Sequence, residues 1–596
     1  YISQLASQGI DIEQQSRWLN AVSAYLSNAQ FAKISSLPFV KSIQEVITYK
    51  HREEPKQRFS IQKIHEAAGN KYTYGNSATQ MTTINAVAVH NIGVSGQGVL
   101  VGMLDVGYRW RTHEALKDRH VIAEYDFIER DSNTANSPNE VCPDEDSHGT
   151  STFSTLAGFS QGNLIGPAFN AEFMLAKTEY NCNETHEDED NWVAGIEWLE
   201  ANGVDVVSCS LGYNTFDPGQ GDYTYADMNG HTATTTKAAV IAARKGVLLV
   251  NSMGNEGGNS WKYMTSPADA DSIISVGAVN SAGVRAYFSS IGPTSDGRIK
   301  PDVVAQGTNV YCAIPYDPNR PSSYAYYQGT SLSTPLVAGV AAMILSVRPE
   351  LTPIQVREAL RNTANNAATP NNEYGWGLID AYKALLFYGM VISTDPEISV
   401  TQDSNNLIGM YIISKTLIKK DSVALYYSSD SGHTFTNVFM QLTEEHDSIT
   451  HSGKYTGVIP HQPSGRAVRF YVQAGDANET RTSPYNAPVR YYDLQTGTMT
   501  VPREKIPTTF ALEQNFPNPF NPSTTIRYAL PAASHVTIEV FNLLGQKTAT
   551  LVNEEQMRGS YEISFSLHEH PLPSGVYFYR LTTESFVHTK KMMIVK

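Results

Sequence analysis

Cysteine is nearly absent: four residues in 596, Cys142, Cys182, Cys209 and Cys312. That excludes a disulfide-framed scaffold, and with no pair spaced as CxxC it excludes a structural zinc ribbon too. Cys209 lies in an apolar run and reads as a small buried hydrophobe. Cys142 and Cys182 lie in polar loops, where a disulfide and two free thiols both remain open. Basic excess is also missing. Lys and Arg number 44 against 59 Asp and Glu, a formal net charge of −15; this argues against a nucleic-acid partner. The longest apolar run, 336–347, is about a dozen residues where a membrane span needs about 20, so no transmembrane segment is expected. There is no HExxH zinc-peptidase motif, since His65-Glu66 is followed by Gly69 and His113-Glu114 by Lys117. No internal repeat is visible. The chain opens on Tyr1 without a basic-then-apolar leader, which leaves export open. What is present is 41% apolar and 10% aromatic residues, enough to bury a large core and to exclude wholesale disorder.

The pattern changes four times along the chain. Residues 1–60 read as a small α+β unit. A helix is expected over 13–26, with Trp18, Leu19, Val22 and Leu26 on one face, then a second over 28–37 and a strand over 40–49. Charged and Gly/Asn-rich residues make 61–80 a linker. Over 81–390, strand candidates at 99–104, 172–177, 204–210, 247–251 and 273–276 alternate with helices at 190–201, 232–244, 331–347 and 353–361. That alternation predicts a parallel, doubly wound α/β domain. Helices then stop. Runs such as 422–427 and 467–472, divided by Gly, Asp and Asn turns, predict a β-sandwich over 395–494. A Thr/Pro-rich linker, 495–509, leads to a second all-β domain, 510–596.

Three segments of the α/β region carry chemistry. The first is an apolar strand ending in Asp105, which puts a carboxylate at the carboxyl edge of the sheet, where such folds bind ligands. The second is Asp146-Ser147-His148-Gly149-Thr150, a histidine where a helix begins, with a glycine that admits close approach. The third is Gly329-Thr330-Ser331-Leu332-Ser333-Thr334-Pro335. Pro335 is tolerated in a first helical turn, so Ser331 is expected near a helix N-terminus, whose N–H groups favour developing negative charge. Singly, each has an ordinary structural explanation: a turn Asp, a buried His, an N-cap Ser. Together they supply an orienting carboxylate, a general base and a nucleophile. Their order, Asp then His then Ser, differs from that of α/β-hydrolases and of chymotrypsin-like enzymes.

With these motifs, 81–390 resembles the catalytic domain of the subtilisin-like serine peptidases (subtilases). One departure is Val106, where the family usually has Ser or Thr. The resemblance implies a triad of Asp105, His148 and Ser331. It also implies an oxyanion-hole amide, Asn255, in the turn Gly254-Asn255-Glu256-Gly257. Ser210, Leu211 and Gly212 would pair with the substrate backbone as an added strand. These residues and Ser252, Met253 and Gly254 would wall the first specificity pocket. No acidic residue stands among them, so an apolar or aromatic side chain before the cleaved bond is expected. The chemistry requires no cofactor. Acidic clusters at 144–146, 184–190 and 222–229 admit a structural calcium, but they give no identifiable ligand set, and the second equally supplies charge to a helix N-terminus.

The ends carry further resemblances. Trp18-Leu-Asn-Ala-Val-Ser23 and Ser36-Leu-Pro-Phe-Val-Lys41 are similar to a subtilase propeptide, against which stands a small accessory domain. Asn515-Phe-Pro-Asn-Pro-Phe-Asn-Pro-Ser523 and Gly575-Val-Tyr-Phe-Tyr579 resemble the C-terminal sorting domain of type IX secretion cargo, against which stands a carbohydrate-binding sandwich. The resulting expectation is a secreted or cell-surface serine endopeptidase. Its partners would be protein or peptide substrates, its own propeptide and the type IX secretion machinery. The rival is a non-catalytic surface binding protein on a subtilase scaffold.

Overall fold

The computed structural model describes residues 1–43, 70–137, 146–180, 185–217, 220–315, 322–462, 467–495, 507, 509–531, 534–556, 558–567 and 570–595. Two compact units are present. The first runs from Tyr1 to Tyr388 apart from two short stretches, and the second takes Gly389–Lys596 with Ala201–Gly203 and Val347–Glu350.

The first unit is built on a seven-stranded, all-parallel sheet: β1 (Leu100–Asp105), β2 (His120–Asp126), β3 (Glu172–Lys177), β4 (Val206–Cys209), β5 (Leu248–Ser252), β6 (Ile274–Val279) and β7 (Val303–Gln306). Their order across the sheet is β7-β6-β5-β4-β1-β3-β2. Every residue of β1 and β3 is buried, as expected for parallel strands covered on both faces, and this is why they read as near-continuous apolar runs. Helices lie at Ser147–Ala157, His186–Ala201, Thr234–Arg244, Thr330–Val347 and Pro353–Thr363. The α/β expectation is borne out. Two strands escaped the sequence pattern. β2 is mostly half-buried at the sheet edge and so has no apolar run; β7 is buried throughout, and its burial does not explain why it escaped. Thr330–Val347 is apolar enough to resemble a membrane span, yet it is 89% buried within the protein as a core helix.

The expected helix over 13–26 is not formed. Ile12–Ser16 and Ala21–Ala24 instead pair as an antiparallel hairpin. Val22, Ala24 and Leu26, two residues apart, pack with Leu5, Ile10 and Ile34 in a small core, which is strand periodicity. The turn is held from outside: Glu197 accepts from Arg17 N at 3.1 Å, from Trp18 N at 3.2 Å and from the Ser16 hydroxyl. A carboxylate on a distant helix thus overrides a local helical pattern. The second expected helix is present at Asn28–Ile34, with a Ser27/Gln30 capping box. Residues 40–43 carry no strand. The rest of the 40–49 run, residues 61–69 of the expected linker, most of 495–509, and Cys142 and Cys182 lie outside the described residues; the end of that linker enters the helix Ala78–Thr83.

In the second unit, residues from Val391 to Gln495 form two antiparallel sheets. Their buried faces share Ile408, Met410, Ile412, Leu425, Phe470 and Val472. Residues from Ala511 onward form a three-stranded and a four-stranded antiparallel sheet around Ile526, Val536, Ile538, Val540 and Tyr579. Both have the antiparallel architecture expected of sandwiches.

Beside β7, Asp302 is fully buried. Its carboxylate accepts from Ser275 N at 2.8 Å and from Lys300 Nζ at 2.9 Å, and it pairs with Arg361. Burial opposes its charge, but Lys300, Arg361 and Arg357 outweigh burial and hold the carboxyl far below the usual carboxylate range. A folded pKa below the unfolded one gives stability that is whole above the ordinary carboxylate range and is lost as pH falls through the folded value. Asp302→Asn should therefore cost about 3–5 kcal/mol, because it leaves Lys300 buried without its counter-charge. It should also flatten the acid side of the stability–pH curve, as read by urea unfolding of this unit.

Candidate active site

Strand order reverses at β1: β3 and β2 lie on one side of it and β4 to β7 on the other. The crevice at the carboxyl end of such a strand is where open α/β sheets place their sites. Asp105 is the last residue of β1 and is completely buried. Its Oδ1 accepts from Val106 N at 2.9 Å and from His148 Nδ1 at 2.6 Å, and its Oδ2 accepts from Thr152 Oγ1 at 2.9 Å. Three donors offset the cost of removing the carboxylate from water.

His148 is the second residue of the helix Ser147–Ala157 and its side chain is partly exposed. With Nδ1–H given to Asp105, Nε2 carries the lone pair. The helix reaches the strand end only because of Gly149, where a Cβ would stand 2.1 Å from Gly107 O and 3.1 Å from Asp105 Cβ.

The Ser331 helix begins at Thr330, one residue earlier than expected, and Pro335 lies inside it rather than in the first turn. Pro335 has no N–H for the carbonyl four residues back, which is that of Ser331. The Ser331 carbonyl accepts instead from Ser210 Oγ at 2.9 Å, while Ser331 Oγ donates to Ser210 O at 3.4 Å. The proline thus frees a carbonyl that ties the helix start to the chain leaving β4.

Asn255 has φ −112° and ψ 27°, so it is not there to tolerate a left-handed turn. Its Oδ1 accepts from Thr330 N at 2.9 Å and Thr330 Oγ1 at 3.0 Å. Because a backbone N–H can only donate, this fixes the amide orientation. A Cβ on Gly329 would stand 3.7 Å from Asn255 Nδ2 and 3.8 Å from Ser331 Cβ. The amide N–H group and the Ser331 side chain therefore border the same small space.

Ser210 and Leu211 are buried past the end of β4, and Gly212 is half-buried. Ser252 closes β5, Met253 packs in a buried cluster with Met228, Met264 and Ala268, and Gly254 follows. The sequence reading missed Thr265. Its hydroxyl stands 2.2 Å from where a Cβ on Gly212 would be and 3.0 Å from one on Gly254, and it is buried with no hydrogen-bond partner among the described residues. A polar group left unpaired between the two expected pocket walls is poised to meet a ligand. Thr152, Thr330 and Ser210 were also overlooked as supports. They belong to the hydroxyl-rich stretches around the motifs, whose composition gives no hint of their bonds.

The acidic segments are largely engaged by protein donors. Asp146 pairs with Arg109 Nε at 2.8 Å and accepts from Asn136 N at 2.8 Å. Asp188 accepts from Thr185 N at 2.8 Å, Asp222 from Phe216 N at 2.9 Å and Asp227 from Thr224 N at 2.8 Å. Among the described residues no group of three or more His, Cys, Asp or Glu is placed to hold a metal. Asp144, Glu145 and Glu184 lie outside the described residues.

Comparison with known proteins places this geometry in context. Residues 96–377 match the Subtilase family, 1–62 the peptidase S8 propeptide domain of Bacteroidota, and 514–595 a secretion system C-terminal sorting domain. Subtilisin NAT of Bacillus subtilis subsp. natto is 30% identical over 387 residues, 64% of this chain and 84% of that protein. The subtilisin of Bacillus pumilus is 32% identical over 311 residues, 51% of this chain and 97% of that protein. Among solved structures, a protease from Pseudoalteromonas arctica PAMC 21717 aligns over 53% of this chain and 99% of its own, at 25% identity and a TM-score of 0.42.

Gly149→Ala should force the helix away from Gly107 O and break the 2.6 Å bond between His148 and Asp105. The strongly downfield Nδ1 proton resonance expected for so short a bond should vanish from the proton NMR spectrum.

Proposed function

The chain belongs to the subtilase family and is a serine-type endopeptidase, and from that premise we propose that Asp105, His148 and Ser331 are its triad and Asn255 its oxyanion donor. The observation that carries the reading is the 2.6 Å bond from His148 Nδ1 to Asp105; it is supported by the pairing of β1 with β4, whose continuation Ser210 bonds the Ser331 carbonyl. In this reading His148 Nε2 takes the Ser331 proton as Oγ attacks the scissile carbonyl. Asp105 fixes the tautomer and stabilises the imidazolium that forms. Charge develops on the carbonyl oxygen, and the Asn255 N–H group, held by Thr330, meets it without having to reorganise. His148 then protonates the leaving amine, and water resolves the acyl-enzyme in the reverse sense. The triad asks for no cofactor; calcium, if bound, would be structural.

Substrate would pair along Ser210-Leu211-Gly212 as an added strand. An apolar or aromatic side chain would sit between Gly212 and Gly254, with the Thr265 hydroxyl at its end. The C-terminal sorting domain makes this a secreted or cell-surface protein and the type IX machinery its export partner. The segment matched as a propeptide grips the α/β unit through Glu197, Asn191, Phe127 and the Glu13–Arg130 ion pair. Such a grip suits a propeptide that is later released.

A fluorophosphonate probe and a casein digest test the reading after the N-terminal segment is removed. Wild-type protein should label and digest, and Ser331→Ala should do neither. A wild-type chain that does neither is the non-catalytic binding protein instead. Asn255→Ala should lower kcat about 10²–10³-fold with little change in KM, as loss of such a donor does in a subtilisin.

A further inference from the structure

A second carboxyl group stands beside the Asp105–His148 pair, and the mechanism above does not use it. Glu179 lies two residues beyond β3, and the preceding Thr178 N donates to Asp105 O at 3.1 Å. Tyr213 lies beyond β4, fixed by reciprocal backbone bonds with Ser266 at 2.8 and 2.9 Å. The Tyr213 hydroxyl donates to Glu179 Oε2 at 3.1 Å. Since β3 and β4 are the two neighbours of β1, this bond joins their extensions across the strand that ends in Asp105. Both side chains are buried.

Tying Tyr213 in place does not by itself call for an acid. A glutamine would accept the same hydroxyl bond without carrying an ionisable group into the interior. Burial pushes the Glu179 carboxyl up to about 7; the Tyr213 hydroxyl and the nearby His148 favour its ionised form, while Asp105 opposes it. Asp188, at the start of the helix His186–Ala201, is pushed up as well, by burial and by Glu179. Cys209, at the end of β4, also feels the Glu179 charge. The groups facing Glu179 from the surrounding elements are thus Asp105, His148, Asp188, Cys209 and Tyr213.

We propose that Glu179, clamped by Tyr213, is a positioning residue that sets the proton affinity of His148 by placing a second, titrating carboxyl beside the Asp105–His148 pair. The proposal rests on the triad reading above. While Glu179 is neutral, the imidazole faces the charge of Asp105 without a second one from Glu179. Once Glu179 ionises, a second negative charge favours the imidazolium and delays the loss of its proton. His148 and Glu179 then titrate as a coupled pair, which broadens the rise of activity with pH beyond a single ionisation.

The test is the pH dependence of inactivation by phenylmethylsulfonyl fluoride and of kcat/KM on a peptide substrate, using the full chain after removal of its N-terminal segment. Glu179→Gln should move the ascending limb to lower pH by on the order of half a unit or more and sharpen it to one ionisation. Tyr213→Phe removes the donor that favours ionised Glu179, so Glu179 stays neutral to higher pH. Its limb should also move to lower pH, with a shoulder where Glu179 finally ionises. A merely structural Glu179 would lower rate or stability and leave the midpoint where it is, and an unmoved midpoint in these variants overturns the proposal while the peptidase reading stands. If Glu179→Gln fails to fold, Tyr213→Phe decides alone. If the wild-type chain is not inactivated at any pH, the peptidase reading falls and this proposal falls with it.

Discussion

The first unit is organised around a carboxylate that has been taken out of water at the end of a strand. Asp105 is fully buried, and a bare charge there would cost far more than the domain's net stability. The donors that prevent this come from two parts of the chain: Val106 N from the strand's own continuation, and Thr152 Oγ1 and His148 Nδ1 from the helix Ser147–Ala157. The helix must therefore press against the strand end, which requires Gly149 opposite Gly107 O. The strand end must in turn lie at the sheet's reversal point, so that the crevice opens beside it. The position of the proposed base follows from satisfying a buried acid.

The same logic shows which parts of the site were legible in sequence. The proposed site residues Asp105, His148, Ser331 and Asn255 are legible because each stands in a short, contiguous motif. Strands β1 and β3 to β6 were found because burial on both faces leaves an apolar run. The half-buried edge strand β2 leaves no such trace. Supports such as Thr330 and Ser210 act through contacts 75 and 121 residues away along the chain, and composition cannot encode those. Pro335 is the instructive case. Its presence near the start of a helix was legible, but its effect, freeing the Ser331 carbonyl for Ser210 Oγ, depends on which strand lies alongside.

The N-terminal hairpin is a harder failure of local reasoning. Trp18, Leu19, Val22 and Leu26 have helical spacing, and nothing within 1–43 forbids a helix there. What decides the matter is Glu197, whose carboxylate accepts the N–H groups of Arg17 and Trp18. Those donors would find no such charged acceptor along the helical pattern, and a hydrogen bond to a charged group outweighs the few tenths of a kcal/mol at stake in helix propensity.

Glu197 also links the two ends of one helix to two different tasks. The helix His186–Ala201 holds Asp188 in its first turn, beside Glu179 and the crevice, and Glu197 in its last turns, against the hairpin. Between them, Asn191 receives Gln14 Nε2 at 2.8 Å. The hairpin's conformation is therefore conditional on a helix that belongs to the α/β unit, and that helix has a carboxylate to offer at each end. A segment that needs this helix for its own turn adds favourable contacts to the folded unit while it is bound. It withdraws them when it leaves. The physical requirement for removable assistance is met by contacts of this kind: charge-assisted bonds from backbone N–H groups to Glu197 in the last turns of the helix, with Tyr25 donating to Glu187 in its first turn.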